Sequence, residues 1–248
     1  MGLLDFFTKG KSLKEPIDLG LLYCDVHSHF IPGIDDGAKT IEDTLLLLKG
    51  MQEMGYKKII TTPHVMSDYY RNTTEIILRG IDEVKEAALK EDIKLDISAS
   101  AEYYLDSDFT NLVKNKDLLT FSNNYVLFEV SYLNPPDNID SMIFMLQSEG
   151  YKPIIAHPER YPYWYDSFEK YEQLADRGVL LQLNINSLTG HYSPKTQQVA
   201  EKLIEKNLIS FIGSDCHHLG HQNLMQKAVY SPYLKKLFDS GKLLNSTL

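Results

Sequence analysis

A series of short apolar segments, most of which end in a histidine or a carboxylate, constrains the fold more than any other feature of this chain. Short apolar runs are typical of buried strands, and the ends of consecutive parallel strands meet at one face of a barrel. Nitrogen and carboxylate ligands together suit divalent metals of intermediate hardness. The sequence therefore predicts a hydrolytic site with several metals, and the candidate ligands are His27, His29, Asp36, His64, Glu102, Glu129, His157, Asp215 and His217.

Helical patterns separate most of these apolar segments. Strands that alternate with helices indicate a parallel sheet with right-handed crossovers. Seven such units predict an α/β fold in the form of a distorted (β/α)7 TIM-like barrel. The predicted strands are Leu21–Val26, Lys57–Thr62, Leu95–Ala99, Tyr125–Val130, Lys152–Ala156, Val179–Leu183 and Ile209–Ile212.

Local signals mark the starts of some helices. Thr40 and Asp43 resemble a capping box with Asp in place of Glu. Ser193 is predicted to cap a helix over Pro194–Lys206, with proline at the first helical position. The spacing of apolar residues also predicts a helix over Thr74–Leu89.

At 248 residues the chain has the length of one α/β barrel or of two small domains. We assign residues 17–248 to a single barrel domain and residues 1–16 to an N-terminal extension. The apolar residues of this extension could pack on the barrel or on a partner, and they are Leu3, Leu4, Phe6 and Phe7.

Composition and charge exclude several classes of protein. The formal net charge of −9 argues against a nucleic-acid backbone as the main partner. No apolar run approaches the length of a membrane span, and Met1–Glu15 lacks the features of a signal peptide. Cys24 and Cys216 provide no disulfide framework. We expect a cytoplasmic protein without membrane insertion.

Each candidate ligand also has an ordinary structural interpretation. Asp36 lies in a stretch rich in turn residues, where Asp is common for backbone reasons. Glu102 and Glu129 end apolar strands, where a carboxylate is costly to bury without a metal or an arginine. The histidines without a comparable context are interpreted as loop residues, and they are His191, His218 and His221.

A cysteine nucleophile is not expected. Cys216 lies between two candidate ligands, but strand alternation turns its side chain the other way. A Cys-x5-Arg phosphate loop is also absent, because Gln222 occupies the arginine position.

Several motifs together resemble the polymerase-and-histidinol-phosphatase (PHP) superfamily. They are Asp25-Val-His27-Ser-His29, Ile31-Pro-Gly-Ile-Asp-Asp36-Gly-Ala, Ala101-Glu102-Tyr-Tyr, Ala156-His157-Pro-Glu-Arg160-Tyr and Ser214-Asp215-Cys-His217. The closer resemblance is to bacterial protein-tyrosine phosphatases of capsular and exopolysaccharide gene clusters, and it runs from about Leu22 to His217. It implies a PHP-type barrel with three divalent metal ions, often manganese. The ligand set also accepts iron, zinc or magnesium.

The resemblance also implies how the ligands divide. One metal would be held by His27, His29 and Asp215, with Glu102 bridging to a second metal. The second metal would also be held by Glu129 and His157. The third metal would be held by Asp36, His64 and His217.

By the same resemblance, metal-bound hydroxide would hydrolyse phosphotyrosine, and Arg160 would be catalytic and bind the phosphate through paired N–H groups. Gln222 stands where relatives can carry a second arginine, so Gln222 or Arg71 is predicted as a further substrate contact. The implied substrate is the tyrosine-rich tail of a bacterial tyrosine autokinase of polysaccharide export. Side chains that could stack on the phosphotyrosine ring are Tyr69, Tyr70, Tyr103 and Tyr161.

Three other functions remain open on sequence alone. One is a different PHP phosphoesterase, such as a histidinol-phosphate phosphatase or a nuclease, and the acidic charge disfavours the nuclease. A second is an amidohydrolase-type barrel, which often bridges its metals with a modified lysine where this chain has Glu129. A third is a non-catalytic metal-binding scaffold that docks a kinase.

Overall fold

The computed structural model describes residues 12–248, and its strands and helices alternate along the chain. In this range strands β1–β9 span Cys24–Asp25, Lys58–Thr61, His64–Val65, Asp96–Ala99, Glu102–Tyr104, Tyr125–Glu129, Lys152–Ala156, Leu180–Asn184 and Ile209–Gly213. Helices α1–α8 span Ile41–Glu53, Thr74–Lys90, Ser107–Asn115, Ile139–Ser148, Glu169–Asp176, Pro194–Glu205, Leu219–Ala228 and Pro232–Asp239. The apolar residues of the predicted extension, Leu3, Leu4, Phe6 and Phe7, lie outside the described range.

All pairs of neighbouring strands are parallel, and the strands form two sheets. The orders are β1-β2-β4 in the smaller sheet and β3-β5-β6-β7-β8-β9 in the larger one. Only two residues separate β2 from β3, and only two separate β4 from β5, so each pair continues one strand across a break. The predicted α/β fold with parallel pairing is confirmed.

The first strand is shorter than predicted. Leu19–Leu22 form a 3-10 helix, which Asp18 caps by accepting a hydrogen bond from the Gly20 N–H. Tyr23 then takes a backbone φ of 66°, so the extended conformation begins only at Cys24. An apolar pattern alone does not distinguish this partly exposed turn from a strand.

The predicted helix starts are confirmed. Thr40 and Asp43 form a reciprocal capping box at the start of α1. Ser193 caps α6 by accepting a hydrogen bond from the Thr196 N–H, and Pro194 is the first helical residue. These caps satisfy backbone donors that the first turn leaves without partners.

Apolar faces of the helices cover the sheets. In α1 the buried residues Leu47, Leu48 and Met51 recur at helical spacing, and Ile77 and Ile81 do the same in α2. Burying a side chain of this size contributes about 1.5–3 kcal/mol to stability. This packing fixes the strands, and therefore fixes the face at which their carboxyl ends meet.

The start of the described chain lies beside the end of α7. The Leu13 N–H donates to the Tyr230 carbonyl at 2.9 Å, and the Ile17 N–H donates to the Val229 carbonyl at 3.0 Å. Across residues 12–248, no helix has both the length and the apolar character that a membrane crossing requires.

Candidate metal centre and active site

All the predicted ligands converge on one cleft at the carboxyl ends of the strands. Most of them lie at or just beyond the end of a strand, whereas Asp36 lies in the loop before α1. Their ligand atoms form four groups, each within 4.8 Å: His29, Asp36, His64 and His217; His27, His29 and Asp215; His27, Glu102 and His157; His64, Glu102 and Glu129.

The first predicted set lies together at the end of β1. The Nε2 atoms of His27 and His29 lie 3.4 and 3.5 Å from Oδ1 of Asp215. The i, i+2 spacing of the histidines puts both rings on one side of an extended chain. A backbone hydrogen bond of 2.8 Å from the Asp215 N–H to the His27 carbonyl holds the two segments in register.

Glu102 occupies the middle of the cleft. Its Oε2 lies 3.1 Å from His27 Nε2 and 3.2 Å from His64 Nδ1, and its Oε1 lies 3.0 Å from His157 Nε2. Glu129 lies 3.2 Å from His64 but 4.0 Å from His157. A bridging role for Glu102 fits this position, whereas the division of Glu129 and His157 between metals stays a prediction.

The third predicted set lies towards the mouth of the cleft. Oδ1 of Asp36 lies 3.5 Å from His64 Nε2 and 3.4 Å from His217 Nε2. His217 also stacks on His29, with ring centroids 4.0 Å apart. Asp36 is half exposed, so this part of the centre is open to solvent, as a substrate-binding position requires.

The donor set fits divalent metal ions. Within residues 12–248, the buried His29 Nε2 and His64 Nδ1 make no hydrogen bond, although both face carboxylates of the cluster. Buried polar atoms normally have partners, so such atoms need an explanation. Metal ions between these nitrogens and the carboxylates would satisfy both kinds of atom.

Outer side chains hold the histidine rings in place. Gln182 Oε1 lies 2.8 Å from Nδ1 of His27, and Asp35 Oδ2 lies 2.8 Å from Nδ1 of His29. Such contacts leave Nε2 of each ring directed at the metal position. Asn184 donates to Oδ2 of Asp215 at 2.7 Å.

Sequence reasoning missed these outer residues. Gln182 and Asn184 are polar residues two apart in β8, an otherwise apolar strand, and this alternation was a usable signal. Asp35 had no separate signal, because it is the immediate neighbour of the chosen Asp36.

Arg160 lies at the wall of the cleft. Its guanidinium carbon lies 4.9 Å from the ring centre of Tyr132 and 4.1 Å from that of Tyr192, and its Nη1 donates to Asp215 Oδ2 at 2.9 Å. The cleft has a volume of about 450 Å³, and all three side chains line it. Sequence reasoning predicted Arg160 but not the two tyrosines that contact it.

The electrostatics of the cluster suit cation binding. Burial would lower the pKa of His27, but the carboxylates of Glu102 and Asp215 outweigh burial and raise that pKa to about 9. Burial would raise the pKa of Glu102 and Asp215, yet the surrounding histidines hold both well below their usual range. The cluster therefore holds protons on histidine at neutral pH, and bound metals would replace them.

The side chain of Cys216 does not line this cleft. Its side chain is fully buried, and burial raises the pKa of its thiol well above the usual range. A nucleophilic cysteine needs an accessible thiolate. This environment agrees with the expectation of a reaction without a cysteine nucleophile.

Two predicted substrate contacts lie elsewhere. The Gln222 side chain is buried against α1, where its Nε2 donates to the Leu47 carbonyl at 2.7 Å, and it does not line the cleft, so its contact with phosphate stays a prediction. Arg71 is exposed and its Nε donates to the Ser67 carbonyl at 2.7 Å. It lines a neighbouring groove and not the cleft of the metal cluster.

Two of the three histidines that were interpreted as loop residues line the cleft. His221 lies in α7, and its Nδ1 lies 3.0 Å from the Asp215 carbonyl. His218 occupies the position before the same helix, outside the helices and strands as predicted, and its side chain makes no capping hydrogen bond. His191 lies outside the helices and strands, as predicted, with its ring 5.6 Å from that of His221.

The four predicted stacking tyrosines have different environments. Tyr70 lines the cleft, and its ring stacks on His64 with centroids 5.4 Å apart. Tyr69 is exposed, whereas Tyr103 and Tyr161 are buried and pack in the core. Only Tyr70 among these four lines the cleft.

Comparisons with known proteins agree with this geometry. A family described as capsular polysaccharide synthesis, CpsB/CapC, matches residues 23–241. The chain belongs to this family. It is 29% identical over 218 residues to the tyrosine-protein phosphatase YwqE of Bacillus subtilis (strain 168), covering 87% of this chain and 85% of YwqE. The predicted resemblance to bacterial capsule phosphatases is confirmed.

Two further relatives support the same assignment. Tyrosine-protein phosphatase CpsB of Streptococcus agalactiae serotype V is 28% identical over 201 residues, covering 79% of this chain and 83% of CpsB. A solved structure from work on YwqE of B. subtilis and CpsB of Streptococcus pneumoniae, described as unique metal-dependent tyrosine phosphatases, superposes with a TM-score of 0.80. It is 28% identical and covers 91% of this chain and 90% of that one.

Proposed function

We propose that this chain is a cytoplasmic, metal-dependent protein-tyrosine phosphatase of capsule or exopolysaccharide synthesis. The observation that carries the proposal is the convergence of nine histidine and carboxylate ligands beside Arg160 in one open cleft. The substrate we propose is a phosphotyrosine in the tail of a bacterial tyrosine kinase. Membership of a family whose relatives are tyrosine-protein phosphatases supports this choice over other phosphate esters.

We propose three divalent metals, with manganese as the preferred ion. His27, His29 and Asp215 would hold one, Asp36, His64 and His217 another, and Glu102, Glu129 and His157 would complete the centre, as the groups in the cleft allow. When bound, the metals would supply Lewis-acid charge to the phosphoryl oxygens and would make water more acidic, which is the chemistry that hydrolysis of a phosphate ester requires. Iron, zinc or magnesium would fit the same donor types.

The chain's own residues would bind and orient the phosphate ester. Arg160 carries N–H groups into the cleft and can donate to non-bridging phosphate oxygens. Tyr132 and Tyr192 restrict its guanidinium from two sides, so little conformational freedom is lost on binding. The leaving tyrosinate belongs to a phenol of pKa about 10, so it departs with modest assistance.

We also propose that the two sheets are parts of one distorted seven-unit barrel. A parallel bridge between Ser28 and Cys216 supports this, because it pairs the chain after β1 with the chain after β9. Backbone hydrogen bonds from Ser100 to Thr61 and from Glu102 to Pro63 link the broken strands. A small apolar cluster from the strands, with members such as Ile60, would fill the interior.

The test of the function is a substrate panel. We expect the manganese-loaded protein to hydrolyse phosphotyrosine peptides faster than phosphoserine peptides or histidinol phosphate. Chelation should abolish the activity, and added manganese should restore it. A preference for histidinol phosphate would favour the small-molecule phosphatase, and metal binding without any hydrolysis would favour the kinase-docking scaffold.

A further inference from the structure

A second cavity adjoins the cleft of the metal centre. It has a volume of about 360 Å³ and lies between the start of α2 and the start of α3. Met66 and Tyr70 line both the cleft and this cavity, which we call the flanking groove. A substrate segment that enters the cleft can therefore continue into the groove without leaving the surface.

The wall between the two cavities is a tight hairpin. Met66 and Tyr70 exchange backbone hydrogen bonds of 2.9 and 3.0 Å. Asp106 accepts a hydrogen bond from the Ser67 N–H at 3.0 Å with one oxygen, while its other oxygen caps α3 through the Phe109 N–H at 2.8 Å. The groove is thus bounded by backbone that is fixed to α3.

The groove combines an apolar floor with an acidic rim. Val65, Ile77, Phe109 and Leu112 contribute apolar surface to its lining. Its lining contains four carboxylates but only one guanidinium, that of Arg71. The carboxylates belong to Glu75, Asp106, Asp108 and Asp117. Glu75 and Asp108 are exposed, so they are available to a ligand.

A lysine or arginine side chain matches this combination. Its methylene stem packs on apolar surface while its charged end stays in a wet, polar environment. Excess negative charge favours a cation over a neutral or acidic side chain. A free metal ion would not use the apolar floor, and an acidic side chain would meet the carboxylates.

We infer that the flanking groove binds a basic side chain next to the phosphotyrosine of a protein substrate. This rests on the proposed phosphatase function and adds a sequence preference to it. The phosphotyrosine would occupy the cleft with its phosphate at Arg160, and the chain beside it would cross Tyr70 into the groove.

The test uses phosphotyrosine peptides in which one lysine is moved through the flanking positions, with alanine or glutamate at the same positions for comparison. The metal-loaded chain of 248 residues is compared with its Glu75→Lys and Asp108→Lys variants. Glu83→Lys is the matched control, because Glu83 is exposed on α2 and does not line the groove. Para-nitrophenyl phosphate, which has no flanking residues, reports the integrity of the metal centre.

We expect lysine at one or two positions to lower KM by about twofold to fivefold relative to alanine, as an exposed ion pair would. The two groove variants should remove or invert this preference, and the control should retain it. All variants should hydrolyse para-nitrophenyl phosphate at the wild-type rate. The preference should also weaken as salt rises.

Three results would overturn the inference. The KM of the wild-type protein could be indifferent to flanking charge, a lysine preference could survive in both groove variants, or apolar flanking residues could be preferred to lysine. Absence of hydrolysis of any substrate, para-nitrophenyl phosphate included, would instead refute the proposed phosphatase and the inference with it.

Discussion

Replacing Arg160 by alanine tests the chemistry of the cleft most directly. Its Nη1 donates to Asp215 Oδ2 at 2.9 Å, and its guanidinium lies against Tyr132 and Tyr192, so its position is fixed before substrate arrives. A hydrogen bond to a charged group contributes about 1.5–3 kcal/mol. Losing one such bond to phosphate lowers kcat/KM by about tenfold to 150-fold, and losing a pair lowers it by about 150-fold or more.

Metal content should not fall in Arg160→Ala. Asp215 turns Oδ2 towards Arg160 and Asn184, whereas its Oδ1 faces His27 and His29. Removing the arginine therefore leaves the oxygen that faces the metal position in place. It also removes a neighbouring positive charge, which cannot weaken cation binding through electrostatics.

The assay is steady-state hydrolysis of para-nitrophenyl phosphate, together with metal analysis of the same samples. Arg160→Lys should recover part of the loss, because it restores the charge but not the paired donors. Arg71→Ala is the control, since Arg71 lies in the flanking groove, and its rate on this small substrate should be unchanged. Unaltered kinetics in Arg160→Ala, or loss of its metals, would refute this account of Arg160.

Three further predictions follow from the same geometry. Cys216→Ser should keep its metals and most of its activity, because the thiol is buried with a raised pKa; an inactive variant with full metal content would contradict metal-based hydrolysis. Gln222→Arg should leave KM unchanged and lower Tm by about 2–10 °C, because it breaks a buried bond to Leu47 and crowds Gly50; a lower KM would place this residue at the phosphate. Metal affinity should rise about fiftyfold from pH 7 to pH 9, because the pKa of His27 is raised to about 9 in the metal-free site and its proton must leave; titrations with a flat pH profile would contradict this.

The sequence was informative where the relevant structure is local. A ligand such as Glu129 ends its own strand, so an apolar run followed by a polar residue locates it without knowledge of the partners. The capping box at Thr40 is local in the same sense. The parallel sheet then brings such strand ends to one face, which is why nine separated residues could be predicted as one cluster.

The sequence did not predict which face of α7 is turned towards the cleft. Gln222 and His221 are neighbours in α7, and adjacent helical residues point about 100° apart. His221 therefore lines the cleft while Gln222 packs under α1. Sequence spacing places both near the site but does not say which of them faces it.

Contacts between side chains of different loops also could not be predicted from the sequence. Tyr132 comes from the loop after β6, and Tyr192 comes from the loop before α6. The two rings meet only at Arg160, which lies in a third segment. No periodicity relates these positions, and the chain has 16 tyrosines, so their number gave no reason to select these two.

Two of the proposed metal ligands have strained backbone conformations, which lower the stability of the metal-free fold. His157 and Asp215 each follow a strand, and they have left-handed φ values of 33° and 47°. This conformation costs a non-glycine residue about 1–3 kcal/mol. It also turns the chain out of the strand direction, so the His157 side chain reaches Glu102 and the Asp215 side chain reaches His27. Cation binding would offset the cost of this strain and of the crowded carboxylates. A ligand that binds only the folded state stabilises that state. The metals are therefore expected to be part of the stability of this enzyme as well as of its chemistry.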